Sequence, residues 1–318
     1  MSTSPLPLSE HFTLLSLAEG VYAALASENG SARSNAGIVD LGDRTVIFDT
    51  FDAPQAAADL RAAAQQLTGR QPTWVLNSHA HGDHCNGNQV FADAVIVSTQ
   101  RARAEMMAAA SEMARLQNDP SELLAAMREL EASMRAETDP LRRAELEKNI
   151  IRQRKRLEVL PTLRPSLPSL AFESKLVFHG SQRVAEWVAA GHRHSAGDAY
   201  LLLPAERIAF LGDIGFFQRP PFMGGCDPQN WAALLDALTQ SDLVTFVPGH
   251  GPVGLKSDLD LLRQYMRMLT DRVAKAIQAG EPLEVTMRQP LPERFRAWGS
   301  PILRTEDNVK FLHRMLAR

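Results

Sequence analysis

The chain has 318 residues, 45% hydrophobic and 22% charged, with a formal net charge of −3. That length can bury a sizeable core, and the composition is that of a globular protein, which excludes disordered and fibrous classes. No apolar run reaches membrane-spanning length, and the charge balance argues against a nucleic-acid partner; the one dense basic run, Arg152 to Arg156, reads as a solvated helix face.

Met1 to His11 has prolines and serines but neither the basic start nor the apolar run of a secretory signal, so a cytoplasmic protein without a membrane partner is expected. Phe12 to Leu25 carries two apolar runs around Glu19-Gly20, the pattern of a hairpin. Segments 34–40 and 45–50 are further strands joined at Gly42-Asp43, and Pro54 to Leu67 is an alanine-rich helix. Trp74-Val75-Leu76 reads as a short buried strand, and it runs into Asn77-Ser78-His79-Ala80-His81-Gly82-Asp83-His84. On a regular helix two histidines two residues apart diverge by roughly 200°. A loop leaving a strand converges them, and Gly82 permits a sharp turn there. Imidazoles and a carboxylate at this density read as ligands for zinc or a similar divalent ion. Cys85 follows directly, more naturally a filler beside such a site than a ligand, and two cysteines (Cys85 and Cys226) give no disulfide framework.

Asn86 to Phe91 suggests a short helix and Val95 to Val97 a strand. From 99 to 160 the spacing is helical throughout, broken at Asp119-Pro120 and Asp139-Pro140. An aspartate N-cap before a proline at the first helical position predicts helices near 99–117, 120–136 and 140–160. Met106, Met107, Met113, Met127 and Met134 either line a flexible apolar surface or pack helix on helix. Pro161, Pro165 and Pro168 mark an extended linker, 161–169. Strand signals resume at Leu176 to Phe178 and Val184 to Val188, then at Ala199 to Leu203 and Ile208 to Leu211, which Gly212-Asp213 closes. Between them lies Gly191-His192-Arg193-His194-Ser195-Ala196-Gly197-Asp198. An apolar loop, 216–225, holds one cation; Phe216, Phe217, Arg219, Phe222 and Met223 are its candidate substrate-binding residues, an interface or core cover being the alternative. Asn230 to Thr239 is a helix, Leu243 to Val247 a strand ending in Pro248-Gly249-His250-Gly251-Pro252, and Ser257 to Ala279 and Glu306 to Leu316 are the last helices.

The run H-x-H-x-D-H over His79 to His84 resembles the signature of the metallo-β-lactamase-fold hydrolases, and the later segments extend the resemblance over most of the chain. It implies an α/β protein built as a four-layer αββα sandwich, residues 1–318 as one domain with the three helices of 99–160 as an insertion. It also implies that His194 joins His79 and His81 at one metal; His192 is the position open to confusion, and the Ser-x-Gly-Asp context favours His194. Asp83, His84 and His250 would hold a second metal, Asp213 would bridge the two, and Asp49 would support the site from behind, a plain helix cap being its other reading. Asp213 counts against the branch of β-lactamases that carries cysteine at that place.

Three histidines and an open position are the catalytic rather than the structural arrangement of zinc. The expected cofactors are therefore two divalent ions, Zn2+ first with Mn2+ or Fe2+ as alternatives. The expected reaction is hydrolysis of an ester, lactone, thioester or β-lactam type bond in a small molecule by hydroxide generated at the metals, with Asp83 as the catalytic carboxylate. An iron-dependent oxidoreductase of the same fold, or a phosphodiesterase or nuclease member, is the alternative. Flavodiiron relatives, however, carry a carboxylate where this chain has His81. The helical insertion has little room for a core of its own, so docking is expected, as a lid or as the arm of a homodimer.

Overall fold

Short runs of β-branched and aromatic residues pair into two sheets in the computed structural model, which describes residues 5–317. Met1 to Ser4, part of the segment read as lacking a leader, and Arg318 lie outside the described residues. The first sheet follows chain order: β1 (Phe12–Ala18), β2 (Val21–Ala26), β3 (Ala36–Asp40), β4 (Thr45–Phe48), β5 (Pro72–Leu76), β6 (Val95–Thr99) and β7 (Leu170–Phe172). Hairpin turns keep β1 to β4 antiparallel, whereas β4 to β7 are parallel because helical segments return the chain between them. The second sheet runs in reverse spatial order from β12 (Thr245–His250) through β11 (Ile208–Phe216), β10 (Asp198–Leu203) and β9 (Val184–Gly191) to β8 (Lys175–His179). Only its β11–β12 pair is parallel.

The helices, in chain order, are α1 (Pro54–Thr68), α2 (Gly82–Cys85), α3 (Gln100–Asn118), α4 (Ser121–Ala136), α5 (Pro140–Val159), α6 (Pro228–Gln240), α7 (Lys256–Gln278), α8 (Leu283–Arg288), α9 (Glu293–Arg296) and α10 (Pro301–Leu316). Val39, Phe48, Leu76 and Val97 from the first sheet meet Trp187, Leu201 and Phe210 from the second in the apolar layer between them. The opposite face of the first sheet packs Ile38, Ile47 and Val75 on Ala57 and Leu60 of α1. The outer face of the second packs Ile214 and Phe246 on Trp231 of α6, Leu262 and Leu269 of α7 and Leu312 of α10. The layers therefore run helix, sheet, sheet, helix, the expected αββα sandwich. Covering on both faces explains why every residue of β4 and β11 is buried.

Several details depart from expectation. Strand β7 and helices α8 and α9 carried no recognised signal, being short and bounded by proline or polar residues. Strand β11 continues past Leu211 through Gly212-Asp213 to Phe216, because β12 runs parallel beside it with Gly212 opposite Pro248 and Phe216 opposite His250. Asp139 caps α5 ahead of Pro140 as expected, accepting from the amides of Leu141 and Arg142. Asp119 instead ends α3, and its carboxylate receives the amide of Ser121, where α4 begins. The linker 161–169 opens in a 3-10 turn, Leu160–Thr162.

The excursion between β6 and β7 docks on its own chain. Arg142 of α5 pairs with Glu306 of α10, and the buried Glu145 accepts from the amides of Ile302 (3.0 Å) and Leu303 (2.9 Å), the exposed donors of the first turn of α10. Further along α5, Lys148 pairs with Glu28 at 2.8 Å and Lys155 donates to the carbonyls of Asn29 and Gly30. Helix α5 thus spans from α10 to the loop between β2 and β3. Among the described residues no helix is long and apolar enough to cross a membrane. Glu145→Ala leaves two part-buried amides of α10 without their charged acceptor, so it should lower the unfolding free energy by about 1–3 kcal/mol in a denaturant titration and accelerate proteolysis in the 118–140 turns.

Candidate metal centre

Seven side chains from four stretches of chain converge at one end of the two sheets. His79 and His81 leave the end of β5, Asp83 and His84 sit on the single turn α2, His194 lies in the β9–β10 loop, Asp213 on β11 and His250 at the end of β12. Ligand atoms of His79, His81, His194 and Asp213 lie within 4.8 Å of one another, as do those of Asp83, His84 and His250. His192, the near neighbour of His194, instead turns to the carbonyl of Gly225 at 2.7 Å.

The imidazoles are oriented from behind. His84 Nδ1 meets Asp49 Oδ2 (2.7 Å), His250 Nδ1 the carbonyl of Arg33 (3.0 Å), His194 Nδ1 the carbonyl of Phe222 (3.0 Å), and His79 Nδ1 the hydroxyl of Ser78 (2.9 Å). A proton held at each Nδ1 by an oxygen leaves Nε2 as a lone pair aimed inward, the way protein oxygens set the tautomer of metal-binding histidines. His81 presents Nδ1 instead, 3.0 Å from His194 Nε2.

Asp213 stands between the two groups. Its Oδ2 is 3.1 Å from His194 Nε2 and 3.7 Å from His79 Nε2, while its Oδ1 is 3.0 Å from His84 Nε2 and 3.2 Å from His250 Nε2. His84 Nε2 lies off the hydrogen-bonding direction, and His79 Nε2, His84 Nε2 and Asp213 Oδ1 are buried with no hydrogen-bond partner among the described residues. Buried polar atoms without partners are costly, and three acceptors facing one space fit cations placed among them. The His/Asp cluster is able to bind metal ions.

The electrostatics agree. Burial works to raise the Asp213 carboxyl, yet His250, His84 and His194 hold it well below the ordinary carboxylate range. Burial likewise opposes ionisation of Asp83, but Arg33, His84 and His250 keep it charged. Burial and the neighbouring His194 pull His81 down to about 4, so it stays neutral and available as a ligand.

Asp49 caps no helix, since α1 has Ala53 at its N-cap. Its carboxylate accepts from the Ser78 amide and hydroxyl, both at 2.7 Å, as well as from His84, tying two parts of the histidine loop to the end of β4. It holds φ at 57°, a left-handed conformation that aspartate tolerates better than most residues. Asp198 and Asn35 were not singled out from the sequence. Asp198 accepts from the amides of His194 (2.6 Å) and Ser195 (2.9 Å) and so shapes the His194 turn; its place in Gly-Asp beside that histidine was the available signal. Asn35 donates to the carbonyls of Pro248 and Gly251, fixing the His250 turn from 213 residues away in the chain, a distance no local pattern reports. Glycine is required in that turn, since a Cβ at Gly249 would strike the Asp213 carboxylate.

The expected substrate edge is corrected in part. Phe217 (1% exposed) and Met223 (buried completely) belong to the core beneath the site, because the loop folds back on α7 and α10. Phe216 ends β11 and stacks on His250 with ring centres 5.0 Å apart, supporting that ligand from the side. Phe222 and Arg219 remain half-buried at the rim, the Phe222 ring 6.0 Å from both His81 and His194. Cys85 turns its thiol to the carbonyls of Ala80 and His81, away from the cluster. Met106 and Met113 line a small cavity of about 60 Å³ with Ala80, Gly82 and Cys85, behind the histidine loop.

Residues 30–250 match the model of the metallo-β-lactamase superfamily. No curated protein sequence matches the chain. Among solved structures, a metallo-β-lactamase from Pontibacter korlensis superposes with a TM-score of 0.56 at 15% identity, covering 80% of this chain and 99% of its own. VMB-1 gives a TM-score of 0.56 at 16% identity, covering 82% of this chain and 98% of its own. Identities this low speak for the fold. Removing the carboxylate in Asp49→Ala should weaken metal binding about 10–100-fold in competition with a chromophoric chelator, with the secondary structure retained by circular dichroism.

Proposed function

We propose that this chain, which belongs to the metallo-β-lactamase superfamily, is a dinuclear metal-dependent hydrolase of small molecules. In this reading His79, His81 and His194 hold one ion, Asp83, His84 and His250 the other, and Asp213 lies between them. The observation that carries it is the division of the Asp213 carboxylate, Oδ2 toward His194 and His79, Oδ1 toward His84 and His250. Nitrogen ligands with few carboxylates suit Zn2+ ahead of Mn2+ or Fe2+. The metal pair, when bound, polarises a carbonyl oxygen and brings the pKa of water from about 15.7 toward ~7.

The chain's own groups complete the chemistry. Asp83 Oδ2 lies 3.5 Å from His250 Nε2 and is kept ionised by Arg33 among others, so it accepts a hydrogen bond from the attacking water and fixes its direction. Its low proton affinity means that a proton taken up there is handed on to the leaving group rather than stored. Asp49, Ser78 and Asp198 hold the histidines against displacement as charge shifts during the reaction. Phe222, half-buried beside His81 and His194, gives the site an apolar flank, which suits an ester, lactone, thioester or β-lactam type bond. The likeness of fold to a metallo-β-lactamase supports hydrolysis without carrying a substrate.

Elemental analysis after incubation with zinc should find close to two ions per chain, and the loaded protein should hydrolyse at least one activated ester, lactone, thioester or β-lactam without oxygen. Asp83→Asn should reduce turnover by roughly 10²–10⁴-fold, whereas His192→Ala should stay near wild type. Absence of metal uptake, or oxygen consumption that needs iron with no hydrolysis by the zinc form, would contradict the proposal.

A further inference from the structure

Helix α5 carries a row of residues on the face it turns to the body of the protein. Arg142, Glu145, Lys148, Arg152 and Lys155 recur at three- and four-residue spacing and so share one side of the helix. All but Arg152 have partners in the body, on α10 at one end and on the 28–30 segment at the other. Arg152 lies between Lys148 and Lys155, both anchored on the 28–30 segment, and is half-buried, so the run read from sequence as a solvated face sends at least this member inward. Arg154, paired with Glu131 at 2.6 Å, and the exposed Arg156 behave as that reading expected.

What Arg152 faces is more positive charge. Burial first, then the like charges of Arg219, Arg304 and Arg33, lower its guanidinium to about 10, against the one carboxylate, Glu145, that acts to raise it. Arg219 is lowered by burial and by Arg304, and it lies within electrostatic reach of Asp213 and Asp83. Arg304 of α10 stacks on the Phe222 ring with its guanidinium carbon 4.9 Å from the ring centre, and that ring is 6.0 Å from His81 and His194. Arg304 is therefore one aromatic ring removed from the candidate centre. Arg33 is paired with Asp52 at 2.5 Å. Arg152, Arg219 and Arg304, by contrast, make no salt bridge among the described residues. Half-buried guanidiniums gathered from three separate elements repel one another and keep little hydration, an arrangement that an entering anion relieves.

We propose that Arg152, Arg219 and Arg304 hold the anionic end of the substrate, a carboxylate, phosphate or sulfate-type oxyanion, beside the metal centre. This rests on the hydrolase reading, whose substrate class it names. The excursion then acts as a fixed roof that selects charge. Arginine suits the task because its planar donors match the paired oxygens of such groups.

The test is calorimetric titration of the zinc-loaded full chain with benzoate, phenyl phosphate and benzenesulfonate, each against neutral benzamide. At least one anion should bind at least tenfold more tightly than benzamide, and the tightest of the three identifies the oxyanion. Arg152→Ala and Arg304→Ala should each weaken that anion about tenfold or more. Arg152→Lys, which keeps the charge and the stem, should recover part of the loss, and Arg154→Ala should match wild type. Equal affinity in wild type and both alanine variants would mean that the metals alone hold the anion and would overturn the proposal. So would no preference over benzamide, or no binding of any anion at millimolar concentration. Binding is read without turnover, so this failure would leave the hydrolase reading standing, and an inactive protein that binds the anion would fail only the latter.

Discussion

The structure depends on a carboxylate that is buried among imidazoles. Asp213 is 4% exposed on a strand whose nine residues are all buried, and none of its nearest neighbours is a permanent cation. An isolated charge in such surroundings costs several kcal/mol after relaxation, more than a domain of marginal stability carries without compensation. Protons on the histidines supply part of it: burial opposes the charging of His84 and His194, yet the Asp213 carboxylate raises both. Divalent ions would supply it more fully and would return the imidazoles to the neutral form that binds metal. Seen this way, the turn at Gly249, the long parallel reach of β11 beside β12 and the oxygens behind His79, His84, His194 and His250 are one solution to a single electrostatic problem.

That solution spreads responsibility widely along the chain. Asp49 at the end of β4, Asn35 before β3, Asp198 at the start of β10 and the carbonyls of Arg33 and Phe222 each fix one imidazole or one turn. The two sheets bring these groups together at one end, where parallel neighbours β4, β5 and β6 and the pair β11 and β12 all finish. Rigid strand ends give the site the accuracy that loops alone would lack.

Legibility in the sequence followed contact range. The histidine loop could be read because its ligands crowd into six positions, and His250 because the glycines on either side made a core role unattractive, whereas Asp213 came only from the family resemblance. The layered fold was equally readable, since its strands are short apolar runs bounded by turn residues and its helices carry caps such as Asp139. The groups that orient the ligands were mostly hidden: Asn35 acts 213 residues away in the chain, and nothing local distinguishes it from a turn asparagine. The extent of β11 was underestimated because Gly212 looks like a strand end until β12 is seen beside it. Arg152 was misread for a related reason. A helix charged on every side, as α5 is, does not announce which face it buries, and its inner face is set by Glu306, Glu28 and the carbonyls of Asn29 and Gly30, all remote. Phe217 and Met223 looked like an exposed apolar loop because the helices that cover them come later in the chain.

The helical excursion gains a purpose from these contacts. Its own core is small, centred on Leu116, Leu160 and Leu163, and α5 ties the excursion to α10 at one end and to the 28–30 segment at the other. The central claim remains the two-ion occupancy around Asp213. Anomalous scattering at the zinc edge from crystals grown with zinc tests it most directly. The account predicts two peaks ~3.5–4 Å apart, one against His79, His81 and His194, the other against Asp83, His84 and His250, with an Asp213 oxygen reaching each. A single peak, or two peaks neither of which touches Asp213, would contradict it.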